Sequence, residues 1–339
     1  MHRSEITIDL GAVRRNAKRL LAELGGAELW AVVKADGYGH GAVDVGAAAL
    51  GAGATALCVA TVPEALELRR EFPSARLLVM GPASLRETAW ARDARLELVV
   101  AGDEIPEGVP VHLKLDTGMG RWGLSELPEP PAHVVGLMSH LASADCDPAF
   151  TDEQIARFLE ATASYSHLTR HLANSAGALR FPAARLDAAR CGIALYGISP
   201  FGTDPGDDGL EPVLTWSSHL AQVRLLRAGA STGYGRRFVA ERDTWIGIVP
   251  VGYADGFRRA LTGTQVRVAG ELRRVVGTIS MDAFAVELDR ELPVGTPVVL
   301  VGRGVLAEAH AAVAGTIAYE LVCGIDRSPM RARRTVVDA

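Results

Sequence analysis

The sequence of 339 residues has few of the features that mark secreted, metal-binding or nucleic-acid-binding proteins. Its four cysteines show neither the spacing of metal ligands nor a compact disulfide pattern, so free thiols in a reducing compartment are expected. Lys and Arg total 35 against 40 Asp and Glu, which gives no basic surface for nucleic acid. The N-terminal stretch MHRSEITIDL has no apolar signal core. We therefore expect a cytoplasmic protein that acts on small molecules, without a metal ion or a nucleic-acid partner.

Long apolar runs are also few. The stretch VGAAALGAGATALCVATV, residues 45–62, is uncharged for long enough to suggest a membrane span. It is only weakly hydrophobic because it is rich in Gly and Ala. Gly51 and Gly53 divide it into the end of a helix and a following strand, so no membrane association is expected.

What the sequence does contain is an alternation of short apolar strands and helical patterns. Such alternation is typical of parallel βαβ units, and eight of them form a (β/α)8 barrel. Eight strands are predicted at 29–34, 56–60, 76–81, 96–101, 110–116, 133–140, 167–174 and 185–190. Helices are predicted at 11–24, 42–50, 62–72, 84–95 and 151–165. The connections on either side of the fifth strand are short or rich in proline, so shortened crossovers without regular helices are expected there.

The pattern changes near residue 201. The polar turn segment GTDPGDDG, residues 202–209, is followed by runs rich in β-forming residues with few helical stretches between them. The sequence therefore predicts a barrel domain at 11–200 and a mostly-β C-terminal domain at 201–339, which a strand at 5–10 is expected to join.

Polar residues lie where the predicted barrel strands end, and in such barrels these ends form the active face. Lys34 ends the apolar run WAVVK, although lysine is among the residues least often buried. A lysine that leaves the sheet and reaches solvent is the structural alternative, and any one of these residues alone could be structural. Their number at one rim favours a catalytic site; the others are Lys114, Asp116, His140, Asn174, Ser175 and Arg190, with Gly192 and Ile193 just beyond.

Eight motifs in this order and approximate spacing resemble the bacterial alanine racemase family, whose members use pyridoxal phosphate and combine a barrel with a C-terminal β domain. The motifs are AVVKADGYGHG, KLDTGMGRWGL, MSHLASAD, HLANSAGAL, RCGIALYGISP, VGYADGFRR, VGTISMD and AYEL. The resemblance implies that Lys34 binds the cofactor aldehyde covalently, for which its amine needs a lowered pKa. It also implies the contacts to the cofactor phosphate: Tyr38, Ser175, Gly192, Ile193 and Tyr319.

The same resemblance implies the roles of the proton-transfer residues. Arg190 faces the pyridine nitrogen, and because an arginine keeps its proton it favours racemisation over transamination and decarboxylation. Racemisation needs a base on each face of the substrate Cα, and Lys34 and Tyr253 match these two bases. The family's tyrosine comes from the neighbouring subunit, so a homodimer with shared sites is implied. His140 matches the histidine that links this tyrosine to Arg190.

For the substrate carboxylate, the resemblance implies contacts from Arg121 and from the backbone N–H of Met281. In many relatives the lysine at the position of Lys114 carries a carbamate that orients this arginine; an unmodified Lys114 paired with Asp116 is the alternative. Three departures concern the substrate corridor: Thr278 in place of a frequent arginine, Ala283 in place of a glutamine, and ADG in place of ANA after the reactive lysine.

The sequence thus predicts a pyridoxal-phosphate-dependent racemase that interconverts L-alanine and D-alanine and supplies D-alanine for peptidoglycan. A racemase for serine or for several amino acids, or a decarboxylase, is the alternative on the same architecture. A non-catalytic protein of pyridoxal phosphate homeostasis is the alternative from another class. Such proteins typically lack the second domain that carries Tyr253 and Met281.

Overall fold

The computed structural model describes residues 2–339. The chain forms two compact units. The first contains Gly11–Phe201 and Pro205–Glu211, and the second contains the residues up to Leu10 together with Gly202–Asp204 and Pro212–Ala339. The first strand, β1 (Ser4–Asp9), therefore belongs to the second unit.

Eight parallel strands close into a barrel in the first unit, and this confirms the predicted fold. They follow one another in chain order, and the last pairs with the first through Trp30 and Arg190. The strands are β2 (Glu28–Val32), β3 (Ala56–Val59), β4 (Arg76–Val79), β5 (Glu97–Val100), β6 (Val111–Lys114), β7 (Val134–Met138), β8 (Thr169–His171) and β9 (Ala188–Cys191). Most are shorter than predicted, because the residues at their ends belong to turns that build the mouth of the barrel.

Helices lie before and between the strands wherever the sequence has helical spacing. They span Leu10–Leu24, Ala42–Gly51, Val62–Glu71, Leu85–Asp93, Pro148–Thr162 and Ser175–Arg180. Two of them begin with a capping box, in which Thr61 or Ser84 exchanges hydrogen bonds with the glutamate three residues later. No helix lies between β5 and β6 or between β6 and β7, so the shortened crossovers are confirmed.

The second unit is mostly β. The strands after the barrel are β10 (Leu214–His219), β11 (Gln222–Leu226), β12 (Ser231–Thr232), β13 (Phe238–Val239), β14 (Thr244–Val249), β15 (Gln265–Val268), β16 (Glu271–Val276), β17 (Phe284–Leu288), β18 (Pro297–Val301) and β19 (Ala332–Val337). Together with β1 they form a nine-stranded sheet of the order β11-β14-β17-β16-β15-β18-β10-β1-β19 and a separate pair, β12-β13. β1 lies antiparallel to β10 and parallel to β19. Helices span Ala307–Ala314 and Ala318–Cys323. Phe257 and Phe284 stack at 4.5 Å in the core of this unit.

Within residues 2–339, no helix has both the length and the apolar character needed to cross a membrane. The uncharged stretch at 45–62 contains most of the helix Ala42–Gly51 and all of β3.

Candidate active site

The C-terminal ends of the barrel strands and the residues that follow them are called the barrel mouth below. Two of the chain's three lysines, Lys34 and Lys114, lie there. Burial lowers the pKa of His140 to about 3, and four nearby cations add to this shift: Arg190, Lys114, Arg121 and Lys34. The fold therefore gathers these predicted site residues in one place, with a neutral imidazole among positive charges. Such a mouth attracts a small anionic ligand.

Lys34 does not end a strand, because β2 stops at Val32. It begins a left-handed turn, Lys34–Tyr38, in which Ala35, Asp36 and Tyr38 have φ near +50°. Each such residue costs about 1 to 3 kcal/mol unless the surroundings hold it in place. Glu64 holds this turn, since its carboxylate accepts hydrogen bonds from the N–H groups of Ala35 at 2.7 Å and of Ala60 at 2.8 Å.

Glu64 has no role in the sequence analysis. Its only signal is the capping box with Thr61, which indicates a helix start and gives no hint of Lys34. One carboxylate thus orders both the start of a barrel helix and the strained backbone that carries the lysine.

Four of the residues predicted to hold the cofactor phosphate form a small cup of hydroxyl and amide groups. Ser175 Oγ accepts hydrogen bonds from the N–H groups of Gly192 at 3.0 Å and Ala194 at 3.3 Å, next to Ile193. A Cβ at position 192 would lie 2.5 Å from the Tyr38 hydroxyl, so only glycine leaves that space open. The ring of Tyr38 packs against Tyr196 at 5.0 Å. Hydroxyl and backbone N–H groups are suitable partners for phosphate oxygens.

Arg190 is buried on β9 and bound on several sides. Its guanidinium donates to the carbonyls of Ser139 at 2.7 Å, His171 at 2.8 Å and Leu172 at 3.1 Å. It also lies 2.7 Å from His171 Nδ1 and 3.4 Å from His140 Nδ1. Burial lowers the pKa of Arg190 to about 10, which leaves it protonated at neutral pH.

Arg121 follows a tight turn that Asp116 holds together. The Asp116 carboxylate accepts hydrogen bonds from the N–H groups of Gly118, Met119 and Gly120 at 2.8 to 3.2 Å. These three N–H groups belong to the turn that directly precedes Arg121, so Asp116 orders the backbone that leads to this arginine.

Lys114 and Arg121 share an aromatic neighbour, because Lys114 Nζ lies 5.9 Å and Arg121 Cζ 5.4 Å from the centre of the Trp122 ring. Burial and the charge of Arg121 lower the pKa of Lys114 to about 8. Trp122 was missed in the sequence analysis, although it follows Arg121 in the motif.

Tyr253, Met281 and Tyr319 belong to the second unit. Tyr253 and Met281 are exposed at 44% and 52% and lie on adjacent loops, because the N–H of Ala254 donates to the carbonyl of Met281 at 3.0 Å. Buried Asp255 accepts a hydrogen bond from the N–H of Gly252 at 2.8 Å. The loop that carries the exposed Tyr253 is thus hydrogen-bonded to the loop that carries Met281.

These loops are held by a group of four charges. Arg3 lies 3.3 Å from buried Asp255, and Arg331 lies 3.5 Å from Asp255 and 2.7 Å from Asp282. Nothing in the sequence indicates that Asp255 and Asp282 pair with Arg3 and Arg331, because these arginines are distant from them along the chain. Thr278 stands where relatives often have an arginine. Its side chain is buried and donates to the carbonyl of Tyr234 at 3.0 Å, and as a threonine it brings no charge to this position.

The chain combines a closed barrel that has a cationic mouth with a mostly-β unit. These features are typical of the barrel enzymes that bind small anionic ligands at the C-terminal ends of their strands. The chain belongs to the alanine racemase family. Residues 8–200 match the N-terminal domain of alanine racemase and residues 213–333 match its C-terminal domain. The resemblance seen in the motifs is thereby confirmed.

Individual relatives match along nearly the whole chain. The alanine racemase of Lactiplantibacillus plantarum is 37% identical, with 95% of each chain covered, and alanine racemase 1 of Bacillus subtilis is 38% identical over 94% of this chain and 90% of its own. The crystal structure of the biosynthetic alanine racemase from Pseudomonas aeruginosa has a TM-score of 0.91 at 36% identity, with 99% of each chain covered. That from a D-cycloserine-producing Streptomyces lavendulae has a TM-score of 0.90 at 35% identity, covering 100% and 98%.

Proposed function

We propose that this protein interconverts L-alanine and D-alanine with pyridoxal phosphate as its cofactor. The observation that carries the proposal is the convergence of Lys34, Arg190 and the Ser175–Gly192 cup at the mouth of a barrel that belongs to the alanine racemase family. The bacterial relatives support a role for this protein in the cytoplasm, where it would supply D-alanine for peptidoglycan.

The residues at the mouth fit this cofactor. The Lys34 amine would bind the aldehyde, and Tyr38, Ser175, Gly192 and Ile193 would contact the phosphate. Tyr319, which belongs to the second unit, is the fifth residue proposed for the phosphate. The space beside the Tyr38 hydroxyl, which a Cβ at position 192 would fill, supports this arrangement. When bound, the cofactor withdraws electrons from the substrate and makes the proton on Cα acidic.

Two bases move that proton. Lys34 accepts or donates the proton on one face of the substrate Cα. Tyr253 does so on the other face, and it comes from the partner protomer of a homodimer. His140 supports the phenol: its Nδ1 faces Arg190, which can only donate, so the neutral ring carries its hydrogen on Nε2. That N–H can donate to the Tyr253 oxygen and stabilise it while it lacks its proton. Arg121 and the N–H of Met281 bind the substrate carboxylate.

Purified protein loaded with pyridoxal phosphate tests the proposal directly. L-alanine or D-alanine incubated in deuterium oxide is expected to gain deuterium at Cα and to approach the racemic mixture from either side. Faster conversion of serine than of alanine would point to the broader racemase, and loss of CO2 would point to a decarboxylase. Bound cofactor without any exchange of the α-proton would contradict the proposal and favour a homeostasis protein.

Arg190→Glu is expected to slow racemisation and to raise the share of transamination, measured as pyruvate formed per D-alanine. A carboxylate can hold a proton at the ring nitrogen, whereas the guanidinium of Arg190 keeps its own, since its pKa of about 10 lies above the working pH. Arg190→Lys is the control, because it preserves the positive charge. An unchanged ratio of the two products in Arg190→Glu would count against the assignment of Arg190 to the ring nitrogen.

Lys114 is expected to carry a carbamate whose occupancy rises with pH. Only the neutral amine reacts with CO2, and because the pKa is lowered to about 8 the neutral fraction grows as pH rises through that value. Carbon-13 NMR with labelled bicarbonate should show a carbamate signal that is lost in Lys114→Arg and retained in the exposed control Lys18→Arg. If the signal is absent above pH 8, Lys114 is unmodified, and the alternative of a Lys114 amine beside the Asp116 carboxylate holds.

A further inference from the structure

Three polar residues inside the barrel unit form a continuous line of hydrogen bonds that ends on Arg190. His171 Nδ1 lies 2.7 Å from Arg190 Nη1, and His171 Nε2 lies 2.9 Å from His112 Nδ1. His112 Nε2 lies 2.8 Å from a carboxylate oxygen of Glu97. Both histidines are fully buried, and none of the three residues has a role in the proposed reaction. We call this line the Glu97–Arg190 relay.

Both ends of the relay favour the same direction for every bond, because the guanidinium of Arg190 only donates and the carboxylate of Glu97 only accepts. A guanidinium only donates, so His171 Nδ1 must accept, and a neutral His171 then carries its hydrogen on Nε2. This N–H donates to His112 Nδ1, so His112 carries its hydrogen on Nε2 and donates it to Glu97. Burial lowers the pKa of both histidines, and the charge of Arg190 adds to the effect, so both rings are neutral.

The carboxylate end of the relay is held as an anion. Burial alone would raise the pKa of Glu97, but the hydrogen bond from His112 and the charge and hydrogen bond of Arg76 outweigh it, and the pKa is lowered. Arg76 Nε lies 2.8 and 2.9 Å from the two oxygens of Glu97. Glu97 therefore offers His112 an acceptor and never a donor at neutral pH.

The surrounding strands make room for the relay and shield it. β7 lies between the strands that carry the two histidines, and a Cβ at Gly136 on β7 would lie 2.2 Å from His112 Nδ1. The two imidazoles can meet only because this position has no side chain. The buried ring of Trp30 packs against His171 with 4.5 Å between ring centres and keeps water away.

We propose that Glu97 is a positioning residue for Arg190, acting through the tautomers of His112 and His171. The carboxylate selects the Nε2–H form of His112, which selects the same form of His171, so a lone pair always faces the guanidinium. In the opposite tautomers an N–H of His171 would face an N–H of Arg190, and the bond would be lost. The inference rests on the proposed function, in which the orientation and proton of Arg190 suppress side reactions.

The first test needs no variant and does not depend on activity. In the holoenzyme labelled with nitrogen-15 histidine, the imidazoles of His112 and His171 should show a protonated Nε2 and a bare Nδ1, as His140 should, and neither relay histidine should titrate between about pH 6 and 9. Spectra of His112→Asn and His171→Asn assign the two rings. A proton on Nδ1 of either ring, or a charged ring, would overturn the proposal.

The second test compares two carboxylates of the barrel strands. Glu97→Gln should produce mixed tautomers at His112 and raise the ratio of transamination to racemisation about tenfold, as expected when a remote hydrogen-bond partner orients a functional group. Glu28→Gln is the matched control: Glu28 lies 3.7 Å from the same Arg76 and binds Trp30 Nε1 at 2.7 Å, outside the relay. If the ratio of transamination to racemisation is the same in the two variants, Glu97 has only a structural role and the proposal is wrong.

Gly136→Ala provides an independent variant if Glu97→Gln does not fold. It keeps every charge but places a Cβ 2.2 Å from His112 Nδ1 and 2.8 Å from the carbonyl oxygen of Thr169, which separates the two imidazoles. Once thermal unfolding shows that it is folded, it should raise the transamination ratio in the same direction as Glu97→Gln. An unchanged ratio in folded Gly136→Ala would contradict the relay. If wild-type protein shows the expected tautomers of His112 and His171 but no racemisation, the proposed function is wrong, whereas the assignment of these tautomers is confirmed.

Discussion

Lys34→Ala is expected to abolish the covalent link between protein and pyridoxal phosphate and to lower racemisation by at least about 10³-fold. The variant removes both the amine proposed to bind the aldehyde and one of the two proposed bases. In wild-type protein, borohydride reduction followed by peptide mapping should place the pyridoxyl group on Lys34. The chain makes this test unusually clear, because it contains only three lysines.

The matched control is Lys18→Ala. Lys18 is exposed on the helix Leu10–Leu24 and should leave the link and the rate unchanged. A pyridoxyl group on Lys114, the other lysine of the barrel mouth, would show that the central assignment is wrong. Wild-type folding of both variants is checked by their thermal unfolding.

Tyr253→Phe should separate racemisation from proton exchange. Without the phenol, only Lys34 can remove the α-proton, so one enantiomer of alanine should still exchange its proton in deuterium oxide while racemisation falls by about 10²- to 10⁴-fold. Tyr234→Phe is the control, since Tyr234 is exposed in the same unit of the chain. Continued exchange of both enantiomers at equal rates in Tyr253→Phe would exclude this tyrosine as a base.

Mixing the two inactive variants tests whether the site is shared between protomers. An isologous dimer has two sites, each with Lys34 of one chain and Tyr253 of the other. After random reassortment of Lys34→Ala and Tyr253→Phe, half the dimers are mixed and each has one intact site, so about a quarter of all sites should be active. If mixed dimers form and activity stays absent, both bases come from one chain.

The roles of Tyr253 and Met281 depend on the loops that carry them. The Tyr253 phenol is exposed, and its loop is held by buried Asp255, which binds the N–H of Gly252 and faces the cations Arg3 and Arg331. An isolated surface ion pair contributes little, but a buried carboxylate with several partners is costly to disturb. The loop is therefore ordered by its own unit before any partner binds.

The sequence by itself determined the architecture and indicated the candidate residues of the barrel mouth. The alternation of short apolar strands and helical patterns predicted all eight barrel strands, and connections that are short or rich in proline predicted the two crossovers without helices, because these signals are local. Lys34, His140 and Arg190 were also predicted as site residues, since each lies in a short motif near the C-terminal end of a barrel strand. The backbone conformation after Lys34 was not predicted. Ala35 and Asp36 have left-handed φ values, and their sequence does not indicate this conformation, because residues other than glycine seldom adopt it.

Only the tertiary structure decided how these residues are held. Glu97, His112 and His171 lie on three different strands, and each alone reads as an ordinary strand residue, so nothing local in sequence connects them to Arg190. Their line of hydrogen bonds exists because barrel closure brings β5, β6, β8 and β9 around one interior and because Gly136 leaves space there. Tautomers and proton positions follow from such contacts between distant residues, and a sequence pattern carries no information about them.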